Sequence, residues 1–350
     1  MNGAIPARAL TEFCRKVFIA AGTPERVAAD VAASLVYADM RGVASHGVVR
    51  TAIYTQRLEM GLVAADAEPI VEREDGSVML IDGASNYGAY AGRKAMGHAI
   101  ALADRLGVGC VGVRHSTHFG MAAFYAREAV ARGKIAIVLS NASQTMPPPG
   151  GIRPFIGTNP LCIAMPTPLP APFMLDMATS VVARGKIMVA TARGEPIPEG
   201  WATDAEGRPT TDAQAALGGL LLPLGGAKGF MISMAIDILC GVLTGAGFGP
   251  GVGNMYKNWT GEQDIGHFFL VIDVERFMPL GRFLERIGAY LTALKAEPCA
   301  PGVDELLYAG EIEHRLEQKA MAEGIELPPA VLADLRELAA KYRIETSLLG

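Results

Sequence analysis

Residues 107–120 read GVGCVGVRHSTHFG, and the placement of their glycines decides the fold. Gly107, Gly109 and Gly112 match the G-x-G-x-x-G pattern of Rossmann folds, in which the glycines follow a strand and open a helix. In this chain the same glycines close a predicted helix and enter a predicted strand, VGCVGVRHS. We therefore interpret the match as accidental and expect an α/β fold of a different kind.

Helices and short apolar strands alternate on both sides of this stretch. The helices predicted here lie at about 89–105, 119–132 and 228–243. The β-branched runs that predict strands lie at 77–83, 108–116, 134–143, 160–167 and 267–274. Such alternation is typical of a layered sheet with helices on its faces. The polar stretch 188–218 is predicted to be a surface connection.

Both ends of the chain are predicted to be helical. Thr23–Pro24 has the pattern of a helix start, and the apolar spacing that follows carries a helix to about Met40. The tail after Gly310 has the pattern of two amphipathic helices, interrupted at Gly324 and at Pro328–Pro329. We therefore expect helical segments outside the central sheet.

Composition and charge exclude several classes of protein. Half of the 350 residues are hydrophobic, which excludes a disordered or fibrous chain. The net charge is -5, from 31 Lys and Arg against 36 Asp and Glu, and no basic run is present. A nucleic-acid partner is therefore not expected, and a small-molecule ligand is.

The mean hydropathy of +0.26 is high enough to require an explanation. The most apolar stretch, 229–249, carries Asp237 at its middle, and a central charge costs about 2.5 to 3.5 kcal/mol on membrane insertion. The apolar runs beside Asp237 are about half of the ~20 residues that span a bilayer, so we predict a buried helix and no membrane partner. The first thirty residues lack the apolar core of a signal peptide, which predicts a cytoplasmic protein.

The sequence does not predict a metal site. The five cysteines stand singly, at positions 14, 110, 162, 240 and 299, and this argues against a disulfide framework and against zinc. His115 and His118 are three residues apart, but no third ligand follows at a recognisable spacing. His118 is instead predicted to lie where a helix begins, beside amides that can meet an anionic ligand.

A row of polar side chains is predicted on a helix over 46–60, which Ser45 can cap and Gly61 can end. On that helix His46, Arg50 and Tyr54 would be spaced i, i+4 and i+8, and so share one face. An arginine can fork a carboxylate, and a histidine can exchange protons near neutrality. The row therefore predicts a carboxylate-binding catalytic site. The alternative is a solvated helix face with one capping residue.

Seven segments, in the same order along the chain, resemble those of the malate/L-lactate dehydrogenase family of the non-Rossmann type. They lie at 38–50, 107–120, 157–166, 174–187, 200–212, 223–230 and 265–273. The resemblance implies an oxidoreductase that uses NAD or NADP. It would transfer a hydride between the nicotinamide and C2 of a small 2-hydroxy or 2-oxo acid. A reductase of cyclic 2-imino acids is one alternative, and a non-catalytic binding protein on the same fold is another.

The resemblance also implies an architecture. Residues 71–309 would form a nicotinamide-binding α/β domain with a layered mixed sheet. Residues 1–70 together with 310–350 would form a helical domain that carries the substrate helix. The expected partners are a small carboxylate substrate and a second copy of the chain, since a homodimer interface would account for part of the apolar composition.

Residue roles are carried over only where the motifs match. The resemblance implies that His46 donates the proton and that Arg50 holds the substrate carboxylate, in agreement with the predicted row. The implied catalytic residues are His46, Ser45 and His118. The implied substrate contacts are Arg50, Tyr54 and Thr158. The implied cofactor contacts are His118, Phe119, Gly120, Ser140, Asp176, Met177, Ala178, Lys228, Gly310 and Glu311.

The chain departs from the family pattern in two turns. Pro149 stands where an aromatic residue usually precedes the paired glycines, and Ala309 replaces the proline of a late P-G-E turn. We expect these departures to alter the shape of the substrate pocket and the contacts to the cofactor, while leaving His46 and Arg50 unaffected.

Overall fold

A seven-stranded mixed sheet lies at the centre of the computed structural model, which describes residues 3–349. The strands of the chain are β1 (Ile70–Asp75), β2 (Val78–Asp82), β3 (Val108–Ser116), β4 (Lys134–Ser140), β5 (Leu161–Met165), β6 (Phe173–Met177), β7 (Ala202–Thr203), β8 (Pro209–Thr210) and β9 (Ile265–Asp273). The central sheet has the order β1-β2-β3-β9-β4-β5-β6, and β7 pairs separately with β8. In the central sheet β2 and β3 are parallel, and the other neighbours are antiparallel. The predicted mixed α/β fold is therefore confirmed.

The described residues contain eleven α-helices. They are α1 (Ala7–Ala20), α2 (Glu25–Met40), α3 (Thr51–Glu59), α4 (Gly88–Leu106), α5 (Ala123–Val130), α6 (Arg184–Arg193), α7 (Ala213–Gly218), α8 (Ala227–Asp237), α9 (Leu280–Ala296), α10 (Glu311–Glu323) and α11 (Pro329–Tyr342). One apolar core joins α4 and α5 to the central strands. A second core joins α1, α2 and α11.

The glycines of the opening stretch bring a helix and a strand together. Gly107 ends α4 with φ +88°. A Cβ at Gly109 would lie 2.0 Å from the carbonyl oxygen of Ala99, and one at Gly112 would lie 3.0 Å from Cγ2 of Thr244. These positions require glycine for close packing of β3 against its neighbours, which is a different role from binding a pyrophosphate.

Most of the predicted elements are present. β3 has the predicted bounds, and the two tail helices α10 and α11 are confirmed, separated at Gly324. The helix predicted from Thr23–Pro24 is α2, and the one predicted over 228–243 is α8, which continues into a π-helical turn at Ile238–Val242. Strands β1 and β6 and helices α1 and α9 were not predicted.

Two predicted elements have the wrong bounds. The helix predicted over 119–132 begins only at Ala123, because Gly120 adopts φ +78° in the turn that follows β3. The connection predicted over 188–218 contains most of α6 and all of α7. The side chain of Asp212 caps α7, a local signal that the polar composition of the segment concealed.

The buried carboxyl group of Asp237 anchors the glycine-rich bend after α8. Its Oδ1 accepts a hydrogen bond from Asn141 Nδ2 at 3.1 Å, and its Oδ2 accepts one from the backbone N–H of Gly249 at 2.8 Å. Burial raises the pKa of this carboxyl group. Across residues 3–349, none of the helices combines the length and the apolarity that crossing a bilayer would require.

Candidate active site

The segment that follows α2 carries the predicted catalytic residues in two short 3-10 turns. These are Ala44–His46 and Val48–Arg50, with Gly47 extended between them at ψ -156°. The continuous helix predicted from His46 is therefore wrong, and α3 begins only at Thr51. Tyr54 lies on α3, whereas His46 lies on a separate turn, so the predicted row does not occupy one helix face.

The carboxylate of Asp39 explains the break at Gly47. Its Oδ2 accepts a hydrogen bond from the backbone N–H of Val48 at 2.7 Å. A Cβ at position 47 would lie 1.9 Å from Oδ1 of Asp39, so glycine is required there. Ser45 does not cap a helix, because its hydroxyl group lies 2.9 Å from Nδ1 of His46. Asp39 thus replaces Ser45 as the capping residue of this segment.

The structure brings the side chains of the predicted row together with His118. The imidazole rings of His46 and His118 stack with centroids 5.5 Å apart and planes 21° from parallel. The hydroxyl group of Tyr54 lies 2.6 Å from Nδ1 of His118. Three residues that are separated by up to 72 positions in the sequence thus form one partly buried cluster.

The hydrogen bonds around His118 fix its tautomer. The backbone N–H of Gly120 donates to Nδ1 at 3.3 Å, so that nitrogen is an acceptor. The hydroxyl group of Tyr54 then also donates to Nδ1, and the ring proton is on Nε2. The backbone N–H of His118 donates to Oε1 of Gln263 at 3.3 Å. Hydrogen bonds to both the backbone and the ring of His118 therefore fix its position.

Burial keeps both histidines uncharged at neutral pH. Desolvation, followed by the positive charge of Arg50, lowers the pKa of His46 to about 4. Desolvation, and then the nearby His46 and Arg50, lower the pKa of His118 well below its usual value. A neutral imidazole can accept a proton, so the cluster can act as a base at pH 7.

Arg50 is a partly buried cation beside these rings. Its Nε donates to the carbonyl oxygen of Ser45 at 2.7 Å, and its guanidinium carbon lies 5.4 Å from the ring centroid of Tyr256. Within residues 3–349, no carboxylate oxygen lies within 4.0 Å of its nitrogens. An arginine in this position can bind an anion bidentately.

Phe119 and Ser140 both contact a buried histidine, His267, which was not predicted as a site residue. His267 stacks on the ring of Phe119 at 4.5 Å with an interplanar angle of 5°. Its Nδ1 lies 2.8 Å from Oγ of Ser140, and its Nε2 lies 2.9 Å from Oγ of Ser116. Burial lowers the pKa of His267 to about 3. The sequence does contain a signal for this contact, because a histidine within the apolar strand HFFLVIDV is expected to be buried, and a buried imidazole requires hydrogen-bond partners for its nitrogens.

Asp176, Met177 and Ala178 lie at the end of β6, close to the turn that carries His118. Oδ2 of Asp176 accepts a hydrogen bond from the backbone N–H of Ala123 at 2.8 Å. Burial raises the pKa of this carboxyl group to about 6. Next in the chain, the backbone N–H of Thr179 donates to the carbonyl oxygen of Thr158 at 3.1 Å. This bond joins the predicted substrate contact Thr158 to the predicted cofactor turn.

The remaining predicted cofactor residues lie at helix starts. Lys228 is exposed in the first turn of α8, and Gly310, with φ +99°, precedes α10. Glu311 is bound to Nζ of Lys295 at 2.8 and 2.9 Å. Within the described residues, no hydrogen bond joins Lys228, Gly310 or Glu311 to the two stacked histidines.

Comparisons with known proteins agree with this fold. A family model described as malate/L-lactate dehydrogenase matches residues 5–336. The malate dehydrogenase of Pyrococcus horikoshii is 38% identical over 351 residues, covering 97% of this chain and 96% of that protein. A solved structure, malate dehydrogenase from Entamoeba histolytica, matches with a TM-score of 0.93 and 31% identity, covering 99% of each chain.

The names of two other relatives include the nicotinamide cofactor that they use. The (2R)-3-sulfolactate dehydrogenase (NADP(+)) of Chromohalobacter salexigens is 37% identical, covering 91% of this chain and 93% of that protein. The ureidoglycolate dehydrogenase (NAD(+)) of Escherichia coli K12 is 35% identical, covering 88% and 87%.

An oxidoreductase that acts on 2-hydroxy acids by hydride transfer accounts for the fold and for these matches. More narrowly, the chain belongs to the malate/L-lactate dehydrogenase family, as the resemblance of its seven segments predicted.

Proposed function

We propose that this protein interconverts malate, or a closely similar small 2-hydroxy acid, and the corresponding 2-oxo acid. The observation that carries the proposal is the guanidinium of Arg50, which has no carboxylate partner in the described chain and lies beside two uncharged histidines. Such a site can bind a carboxylate and exchange a proton with the hydroxyl oxygen on the adjacent carbon. The names of the relatives support a substrate of this kind.

The described residues fit a nicotinamide dinucleotide. Lys228 is exposed at the start of α8, where helix amides and a lysine can bind phosphate. A Cβ at Gly225 or Gly226 would meet no atom within 4 Å, so the approach to this helix is open. Within residues 3–349, Oγ1 of the buried Thr179 has no hydrogen-bond partner, and a bound cofactor would supply one. When bound, the nicotinamide would supply or accept the hydride. The relatives leave both NAD and NADP as candidates.

His46 is the better of the two histidines for carrying the proton. Nδ1 of His118 accepts two hydrogen bonds, so its protonation would break the bonds from Tyr54 and Gly120. Among the residues that the structure describes, the one hydrogen-bond partner of Nδ1 of His46 is the hydroxyl group of Ser45, which can donate or accept. In the oxidative direction, neutral His46 would take the proton of the substrate hydroxyl group. In the reductive direction, protonated His46 would return it.

A bound carboxylate would make this exchange easier. The charge of Arg50 is one cause of the low pKa of His46. A carboxylate on Arg50 would offset that charge and raise the pKa of His46 towards neutrality, where general acid-base catalysis is most efficient. Arg50 would therefore both orient the substrate and, once its charge is offset, allow the pKa of His46 to rise.

A panel of substrates tests the proposal. Oxidation of NADH and NADPH would be followed with oxaloacetate, pyruvate, longer 2-oxo acids and piperideine-2-carboxylate. We expect the highest kcat/KM with oxaloacetate or another small 2-oxo acid. A higher value with piperideine-2-carboxylate would favour the cyclic imine reductase instead. No oxidation with any compound and either cofactor would contradict the proposal and favour a binding protein.

We also propose that the protein is a homodimer. Part of the surface of α8 and its π-helical turn is apolar, and its most exposed side chains are Met231, Ile232, Ile238, Val242 and Leu243. A continuous apolar patch of this kind is typical of a subunit interface. Size-exclusion chromatography with light scattering should give twice the mass of 36.8 kDa. A monomer at micromolar concentration would contradict this proposal.

The domain division and the cytoplasmic location stay predictions. The division places 1–70 and 310–350 in one domain and 71–309 in the other. It is supported by the apolar core that joins α1 and α2 to α11, the last of which comes from the far end of the chain.

A further inference from the structure

A buried arginine on α3 holds a loop formed by residues 254–261. Arg57 is only 1% exposed. Its Nη1 donates to the carbonyl oxygens of Met255 at 3.1 Å and Asn258 at 2.8 Å, and its Nη2 donates to that of Gly261 at 3.4 Å. It forms no ion pair with the described part of the chain, so carbonyl groups of this one loop stabilise its charge.

Further hydrogen bonds fix the 254–261 loop around Tyr256. Oδ1 of Asn254 accepts from the backbone N–H of Tyr256 at 2.9 Å. Nε1 of Trp259 donates to the carbonyl oxygen of Tyr256 at 3.0 Å. The guanidinium carbon of Arg57 lies 5.7 Å from the ring centroid of Trp259. The backbone of Tyr256 is therefore bound on both sides, by a loop that depends on Arg57.

The ring of Tyr256 covers the guanidinium of Arg50, at 5.4 Å from ring centroid to guanidinium carbon. Half of Tyr256 remains exposed, so its ring has one face on Arg50 and an open side. We propose that Tyr256 is a specificity-determining residue of the substrate site and that Arg57 is the residue that positions it. The inference rests on the proposed role of Arg50 in binding the substrate carboxylate.

The ring would act on the substrate in two ways. By covering one face of the Arg50 guanidinium it excludes water there, which strengthens the attraction between the arginine and a carboxylate. For an acid whose carboxylate is bound to Arg50, the ring would also form a wall on one side of the substrate. Small, unbranched 2-hydroxy acids fit beside such a wall, and acids with a bulky aromatic or branched substituent do not.

Steady-state kinetics of Tyr256→Ala test the specificity role. We expect the KM for malate to rise roughly three- to tenfold, with kcat within about twofold. The ratio of kcat/KM for malate to that for phenyllactate should fall, and Tyr256→Phe should retain both values. An active Tyr256→Ala enzyme with unchanged KM and an unchanged ratio would overturn the inference. An inactive wild type would instead contradict the proposed function.

Tryptophan fluorescence tests the positioning role without relying on activity. The chain has two tryptophans, so Trp201→Phe leaves Trp259 as the reporter of the 254–261 loop. Adding Arg57→Met should red-shift its emission and increase its quenching by acrylamide. It should also raise the KM for malate as Tyr256→Ala does, whereas Arg57→Lys should partly restore both. Arg127→Met, which removes a guanidinium stacked on Tyr37 and Phe124, is the control and should leave Trp259 unchanged. Unchanged Trp259 emission in Arg57→Met would overturn the positioning role.

Discussion

The His46→Ala enzyme is expected to turn malate over about 100- to 10,000-fold more slowly than wild type, the range that general acid-base catalysis supplies. The variant lacks the ring whose lowered pKa leaves it free to accept the proton of the hydroxyl group. Its affinity for the cofactor should be nearly unchanged. Steady-state rates with malate, together with the fluorescence of bound NADH or NADPH, measure both quantities.

The control for this experiment is His98→Ala, which removes an imidazole on α4, away from the histidine cluster, and should retain activity. His118→Ala provides the second comparison. If His46→Ala were nearly as active as wild type while His118→Ala were inactive, the proton carrier would be His118. If both were active, neither ring would carry the proton, and the assignment of the site would be wrong.

Replacing Arg50 should mainly affect substrate binding. Arg50→Gln removes the positive charge and the bidentate geometry. Loss of one partner of such a pair costs about 2 to 5 kcal/mol, so we expect the KM for malate to rise about 30-fold or more. Arg50→Lys retains the charge but loses the bidentate geometry, and its KM should lie between those of Arg50→Gln and wild type. Initial rates measured over a range of malate concentrations give KM and kcat for each variant.

The matched control is Arg73→Gln, a substitution of an exposed arginine on β1, which should leave both constants unchanged. A large fall in kcat for Arg50→Gln with no change in KM would contradict a binding role. In that case the guanidinium would act mainly in the transition state, and the carboxylate would be held elsewhere.

The sequence predicted the elements whose signal is local. β3 is a β-branched run bounded by glycine and polar residues, and α11 begins after Pro328, so their bounds follow from neighbouring residues. The assembly of His46 with His118 required the resemblance, because no local pattern joins positions so far apart. The predicted helix from Ser45 failed because a carboxylate six residues earlier, that of Asp39, caps the turn instead.

The parts that could not be predicted depend on contacts between distant segments. Arg57 falls within the helix predicted over 46–60, and no neighbouring residue indicates that it binds carbonyl groups some 200 positions later in the chain. His267 lies in an apolar run that predicts a strand correctly but does not show that its two nitrogens would be bound by Ser116 and Ser140. Only the order of strands in the sheet brings these groups together.

The stacking of the two imidazole rings limits the proton stoichiometry of the reaction. Two cationic rings 5.5 Å apart, with a guanidinium beside them, would repel one another strongly in this partly buried site. The pair can therefore store one proton at a time. Oxidation of one hydroxyl group releases one hydride and one proton, so the capacity of the pair equals the demand of a single turnover.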